Sequence, residues 1–114
     1  MAGRYIAPDV PAEQLTLDFV RDELLTCFES AQSEFLELQG QKLPEEELRG
    51  QVAQFVKGSF QSCGASFDQP TREGIILAIE ECKKNATQGF GEAGVPIIDH
   101  HYGEMMKLVS RLSG

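Results

Sequence analysis

Four polar side chains near the C-terminus are of the types that bind metals: Asp99, His100, His101 and Glu104. His100 and Glu104 are four residues apart, so on a helix they share one face, where an imidazole and a carboxylate could hold a divalent metal. Two ligands do not complete a coordination shell, and the chain has only two histidines and no Glu-x-x-His motif of the di-iron type. A ligand- or metal-binding bundle that uses His100, His101 and Glu104 is therefore the alternative function.

The three cysteines, Cys27, Cys63 and Cys82, are an odd number at wide spacings without a CxxC pair. This arrangement does not indicate a disulfide framework. Cys63 or Cys82 could add a thiolate to the metal site, or act as a nucleophile with His101 as its base. Each cysteine also lies near an apolar helical stripe, where a thiol packs as a small hydrophobic group. We therefore expect no catalytic residue, no enzyme activity and no cofactor.

The composition indicates one folded domain and excludes some partners. The chain has 114 residues, of which 41% are apolar and 25% are charged, as in ordinary globular proteins. Its net charge of −8 repels phosphate backbones and anionic lipids, so we expect no nucleic acid or membrane partner and disfavour a DNA-binding regulator. No signal peptide or apolar run of roughly 20 residues is visible. With the unpaired thiols, this favours a cytoplasmic location.

The chain's first third has apolar residues at spacings of three and four, which predicts one long amphipathic helix. The repeat comprises Leu17, Val20, Leu24, Cys27, Phe28, Ala31, Phe35 and Leu38. We expect this helix to run from about Pro11 to Gln39, on the order of 40 Å. Gly40 would end it in a left-handed conformation.

Three further helices are predicted from similar stripes. The second begins near Pro44 and ends near Gly64, the third is capped by Asp68 or Thr71, and the fourth spans residues 96–112. Two glycines inside the second helix, Gly50 and Gly58, either permit close contact with a neighbouring helix, which we expect, or mark a weak element. The glycine-rich residues 85–96 are expected to form a loop.

Short connections between four helices favour an all-α, antiparallel four-helix bundle in which residues 12–114 form a single domain. Residues 1–11 are expected to form an extended N-terminal arm, because Pro8 and Pro11 bias the residues before them away from helix. Tyr5 and Ile6 are the apolar residues of this arm. They would lie against their own domain or exchange onto a partner subunit.

The leading interpretation is a small, soluble, helical protein–protein interaction domain that self-associates as a homodimer and has no catalytic activity. Its apolar and aromatic content exceeds what the centre of one short bundle needs, and its candidate ligands are too sparse for an enzyme. Phe19, Phe35, Leu36 and Tyr102 are expected to form an exposed apolar patch at the interface. A homodimer is the simplest assembly that would cover such a patch.

Overall fold

The computed structural model describes residues 5–112, and its regular secondary structure in that range is entirely helical. The α-helices are α1 (Leu17–Leu38), α2 (Glu45–Ser62), α3 (Arg72–Phe90) and α4 (Val95–Ser110). Short 3-10 turns occupy Ala12–Gln14 and Glu92–Gly94. The predicted all-α class and the four-helix bundle are confirmed.

Neighbouring helices run antiparallel around the bundle. Each helix packs against the next along the chain, and α4 closes the ring against α1. The Cys27 thiol in mid-α1 donates to the carbonyl of His101 at 3.5 Å, whereas Phe35, further along α1, lies beside Ile97, earlier in α4. The described chain measures 41 × 29 × 26 Å along its principal axes.

The main core draws side chains from all four helices, as the amphipathic stripes require. Its most deeply buried large side chains are Val20, Val56, Phe60, Ile75, Met105, Leu108 and Val109. A second, smaller cluster of Ala31, Phe35 and Ile97, with Phe90 against it, closes one end of the bundle. There the rings of Phe35 and Phe90 stack with their centroids 4.1 Å apart and their planes 3° apart.

The start of α1 differs from the prediction. The helix begins at Leu17 and not at Pro11, because Thr16 has an extended backbone and its hydroxyl accepts the N–H of Phe19 at 3.1 Å. This side-chain cap satisfies one free N–H of the first turn. The predicted end is confirmed, since α1 stops at Leu38 and Gly40 has the left-handed φ of +71°.

The link between α3 and α4 is shorter than the loop predicted over residues 85–96. Helix α3 continues through Gly89 to Phe90, and α4 begins at Val95. Gly91, with φ +70°, lets the chain leave α3 directly. The Phe35–Phe90 stack fixes the last turn of α3 against α1, so tertiary packing overrides the low helix propensity of the glycine there.

The two glycines inside α2 do not serve close helix packing, so that prediction is wrong. No heavy atom lies within 4 Å of a Cβ built on Gly50 or Gly58, whereas a Cβ on Gly94 would lie 2.3 Å from Cβ of Phe90.

We expect Gly58→Ala to raise the free energy of unfolding by about 0.5–1 kcal/mol, because alanine loses less backbone entropy than glycine when a helix forms. Gly94→Ala is the matched control and should lower the free energy of unfolding, because its Cβ would clash with Phe90. Urea unfolding measures both, and a Gly58→Ala variant less stable than the parent would contradict this account.

Candidate functional site

The N-terminal arm lies in a groove between α1 and α4, which we call the arm groove. Its contacting side chains are Glu23 and Ser30 from α1 and His100 and Glu104 from α4. Residues 5–11 have no regular secondary structure and run alongside α4 in the same direction, from His100 to the Arg111 guanidinium, which donates to the carbonyl of Val10 at 2.6 Å. Residues 1–4 of the predicted arm lie outside the described residues.

Tyr5 anchors the arm and is only 7% exposed. Its hydroxyl donates to Oε1 of Glu23 at 2.9 Å, and its N–H donates to Oγ of Ser30 at 3.1 Å. Its carbonyl oxygen is 2.8 Å from Nε2 of His100 and accepts that nitrogen's proton. Burial, followed by the hydrogen bond to Glu23, raises the pKa of Tyr5 above its ordinary value. The phenol therefore stays protonated and its polar groups have partners inside the groove.

The next two residues alternate between solvent and groove. Ile6 is 73% exposed, and Ala7 turns back so that its N–H donates to Oε1 of Glu104 at 2.9 Å. Alternate residues of an extended segment point to opposite sides, so the groove contacts every second residue. These contacts combine one aromatic anchor with hydrogen bonds to the backbone of the segment.

His101 supports the groove from beneath and is 4% exposed. Its Nδ1 donates to the carbonyl of Ile97 at 2.7 Å, because a carbonyl oxygen can only accept. In the neutral ring Nε2 is then an acceptor, and Oγ of Ser30 lies 3.1 Å from it. The Ser30 hydroxyl proton is thereby directed to His101, which leaves the Ser30 oxygen free to accept the N–H of Tyr5.

Glu104 is buried, and each of its two carboxylate oxygens has a donor. Oε1 accepts the N–H of Ala7, and Oε2 accepts the ammonium of Lys107 at 2.8 Å. The hydrogen bond from Lys107, and next the one from Ala7, lower the pKa of Glu104 below its ordinary value. The carboxylate is therefore charged at neutral pH, and it stabilises the arm in that form.

This pKa shift makes the stability contribution of Glu104 depend on pH. Because the pKa is lower in the folded than in the unfolded chain, the contribution is present above the ordinary glutamate pKa and is lost as the pH falls through the lowered one. We expect Glu104→Gln to be less stable than the parent at neutral pH. The difference between their free energies of unfolding should narrow as the pH falls below the ordinary glutamate pKa, and urea unfolding across this pH range measures it. A difference that is independent of pH would mean that the charge of Glu104 does not stabilise the arm.

His100, His101 and Glu104 are not arranged as the coordination shell of a metal in this structure. Among residues 5–112, no group of three or more histidine, cysteine, aspartate or glutamate side chains could hold a metal. Nε2 of His100 and Oε1 of Glu104 contact the arm, and both ring nitrogens of His101 have protein partners. Asp99 is exposed. The three side chains of the metal hypothesis are thus contacts and supports of the arm.

The two buried cysteines, Cys27 and Cys82, do not have the environment of nucleophiles or metal ligands. All three are free thiols, with Cys27 and Cys82 buried and Cys63 half-buried. Burial raises the pKa of Cys27, and it raises that of Cys82 to about 11. The thiolate is the reactive and ligating form. At neutral pH both buried thiols are therefore protonated and contribute packing.

The four predicted interface residues do not lie on an exposed apolar patch. Phe35 is 9% exposed beneath Phe90, and Phe19 and Leu36 are half-buried against the main core. The Tyr102 hydroxyl donates to Glu80, and the ammonium of Lys83 lies 4.2 Å from its ring centroid. Among residues 5–112, the exposed large apolar side chains are instead Ile6, Leu17, Leu38, Leu77 and Val95. A role of the four residues in self-association stays a prediction.

Two of the arm's contacts, Glu23 and Ser30, were not candidates from the sequence. They lie at the edge of the apolar stripe of α1, where polar residues ordinarily face water, and no local spacing relates them to Tyr5.

Within the described part of the chain, no helix is both long enough and apolar enough to cross a membrane. No protein family, curated protein or solved structure matches this chain.

Proposed function

We propose that this chain is a small helical protein–protein interaction domain, without catalytic activity, that associates with a second copy by exchanging the N-terminal arm. The observation that supports the proposal is the way in which the arm groove holds residues 5–7. One aromatic side chain is buried, the N–H groups of Tyr5 and Ala7 donate hydrogen bonds to the groove, and the Tyr5 carbonyl accepts one from it. Grooves that bind extended peptides use this combination of main-chain hydrogen bonds and a side-chain pocket.

A second copy is the partner that the contacts favour, because the groove of that copy offers the same acceptors and the same pocket. The connection between arm and bundle is suited to exchange. Pro11 and the turn Ala12–Gln14 are exposed, so this connection can change direction without disturbing buried residues of its own. In the dimer each arm occupies the partner's groove, and the interface is the same on both copies.

Exchange conserves the contacts that the arm makes within one chain, so mass action sets the balance between monomer and dimer. Dimers are therefore favoured by high protein concentration. The acidic surface agrees with a protein partner rather than nucleic acid, since the net charge is −8. Free thiols support a reducing compartment, and we extend the proposal to the cytoplasm.

Sedimentation equilibrium at several concentrations tests this function. The parent chain is expected to show a concentration-dependent dimer, and Tyr5→Ala to remain monomeric because its arm has lost the anchor. Ile6→Ala is the matched control, since Ile6 is exposed, and it should dimerise as the parent does. A parent chain that is monomeric at every concentration, or a Tyr5→Ala variant that dimerises equally well, would overturn the proposal.

A further inference from the structure

A second concave site lies where α1, α2 and α3 surround a cleft of about 300 Å³, which we call the aromatic cleft. None of the arm-groove side chains lines it. Two stacked phenylalanine pairs contribute to its walls: Phe28 with Phe55, at a centroid distance of 4.5 Å, and Phe35 with Phe90. The cleft is open to solvent on one side, where Gln51 and Gly89 are exposed, and its volume is at the lower end of the range of small-molecule sites.

The spacing along α1 separates the two stacks. Phe28 and Phe35 are seven residues apart, which places them two turns, or on the order of 10 Å, apart along one face of the helix. Gln32 lies between them on that face. A ligand in the cleft thus meets the half-buried rings of Phe28 and Phe55 at one end, the half-buried ring of Phe90 at the other, and an amide side chain between them.

Three amide side chains line the aromatic cleft: Gln32, Gln51 and Asn85. Asn85 uses one N–H for a long hydrogen bond to Oε2 of Glu81, at 3.4 Å, which leaves its amide oxygen available to a ligand. An amide both donates and accepts hydrogen bonds, so it pairs well with another amide or with the edge of a nitrogen heterocycle. The residues that line the cleft are all uncharged.

We propose that the aromatic cleft binds an uncharged heteroaromatic ring that carries a carboxamide or an equivalent hydrogen-bonding edge. The phenylalanine rings supply stacking and edge contacts for the flat ring, and the amides pair with its polar edge. An anionic ligand would lose its hydration without gaining a cationic partner, and the acidic protein would repel it. The site is separate from the arm groove and does not depend on the proposed self-association.

Nicotinamide is a suitable probe, titrated into the ¹⁵N-labelled protein while backbone amide shifts are followed by NMR. Saturable shifts centred on the residues of the cleft are expected. Gly89→Leu should weaken binding by about tenfold or more. Gly89 lines the cleft in the last turns of α3, and a Cβ there meets no atom within 4 Å, so the backbone accepts a side chain that adds bulk at the cleft. Gly58→Leu is the matched control, because Gly58 is an equally open helical glycine outside the cleft.

Two further probes test separately the effect of a negative charge on the ligand and the effect of its polar edge. Nicotinate has the same ring with a carboxylate, and toluene has a ring without a polar edge; each is expected to bind about tenfold or more weakly than nicotinamide. The proposal is overturned if nicotinamide causes no saturable shifts, if toluene binds as tightly as nicotinamide, or if Gly89→Leu binds as well as Gly58→Leu. Circular dichroism and unfolding of both glycine variants show whether a loss of binding reflects a loss of fold.

Discussion

Replacing Tyr5 with alanine is expected to lower the free energy of unfolding by about 3 kcal/mol, a typical cost of deleting a buried aromatic ring. The ring packs in the main core although it lies close to the chain terminus. The substitution also leaves Glu23 without the hydroxyl that donates to it. With the anchor lost, the backbone hydrogen bonds to Ser30, His100 and Glu104 no longer offset the entropy of ordering the arm.

Urea unfolding followed by circular dichroism measures this loss, and two variants resolve its parts. Tyr5→Phe keeps the ring and removes only the hydroxyl, so it should lose about 1 kcal/mol. Ile6→Ala changes an exposed neighbour and should stay within about 0.5 kcal/mol of the parent. If Tyr5→Ala were as stable as Ile6→Ala, the arm would not be docked in the groove.

Phe35→Ala is the second large change, with an expected loss of about 3–4 kcal/mol in the free energy of unfolding. Phe35 stacks on Phe90 and lies in the cluster that joins α1 to the start of α4. Its removal leaves a cavity at the closed end of the bundle, and the last turn of α3 loses its contact with α1. Thermal and urea unfolding should both report the loss.

This substitution distinguishes a core residue from an interface residue. Leu38→Ala, on the same helix, is the matched control, because Leu38 is 59% exposed and should change the stability by no more than about 0.5 kcal/mol. If Phe35→Ala kept the parent's unfolding free energy and only weakened self-association, the interface role predicted from the sequence would be correct. The packing seen here would then be wrong.

The fold could be predicted from the sequence because burial repeats with the helical period. Val20, Leu24, Ala31 and Phe35 were expected on one face of α1, and all four are buried. The errors in the predicted helix boundaries lie at helix ends, where a single cap or side-chain contact can outweigh the periodic pattern. At Thr16 a single side-chain cap decides where α1 starts, and at Phe90 an aromatic stack holds a helix that the nearby glycines alone would have ended.

The candidate site could be predicted only in part. The sequence groups His100, His101 and Glu104 together as candidate metal ligands, because their residue types and spacing are those of ligands, and it does not relate them to the arm. Its ligand was not predictable: Tyr5 and His100 are separated by 95 positions in the sequence. Periodicity shows which face of a helix is buried, but it carries no information about which distant segment of the chain will lie across that face.

The arm also explains why polar groups can be buried between α1 and α4. Buried polar side chains need hydrogen-bond partners, and Glu104 and His101 are both buried there. Ala7 supplies a donor to Glu104, and Ser30, which contacts Tyr5, lies against His101. The arm and the polar residues beneath it are thus one hydrogen-bonded unit, and in the proposed exchange the same residues would hold the arm of a second copy.

The most direct test of arm exchange mixes two defective variants. Tyr5→Ala lacks the anchor but keeps the groove. The double variant Ser30→Ala and Glu104→Ala keeps the arm but lacks two acceptors, and each N–H left unpaired costs about 1–3 kcal/mol. Alanine favours helix at both positions, so the double variant should keep its fold.

Sedimentation equilibrium compares each variant alone with their equimolar mixture. Arm exchange predicts that each variant alone is monomeric, and that the mixture contains a heterodimer in which the intact arm of the double variant occupies the intact groove of Tyr5→Ala. A mixture whose mean mass equals that of the separate monomers at every concentration, from a parent chain that does dimerise, would contradict arm exchange and place the self-association surface elsewhere.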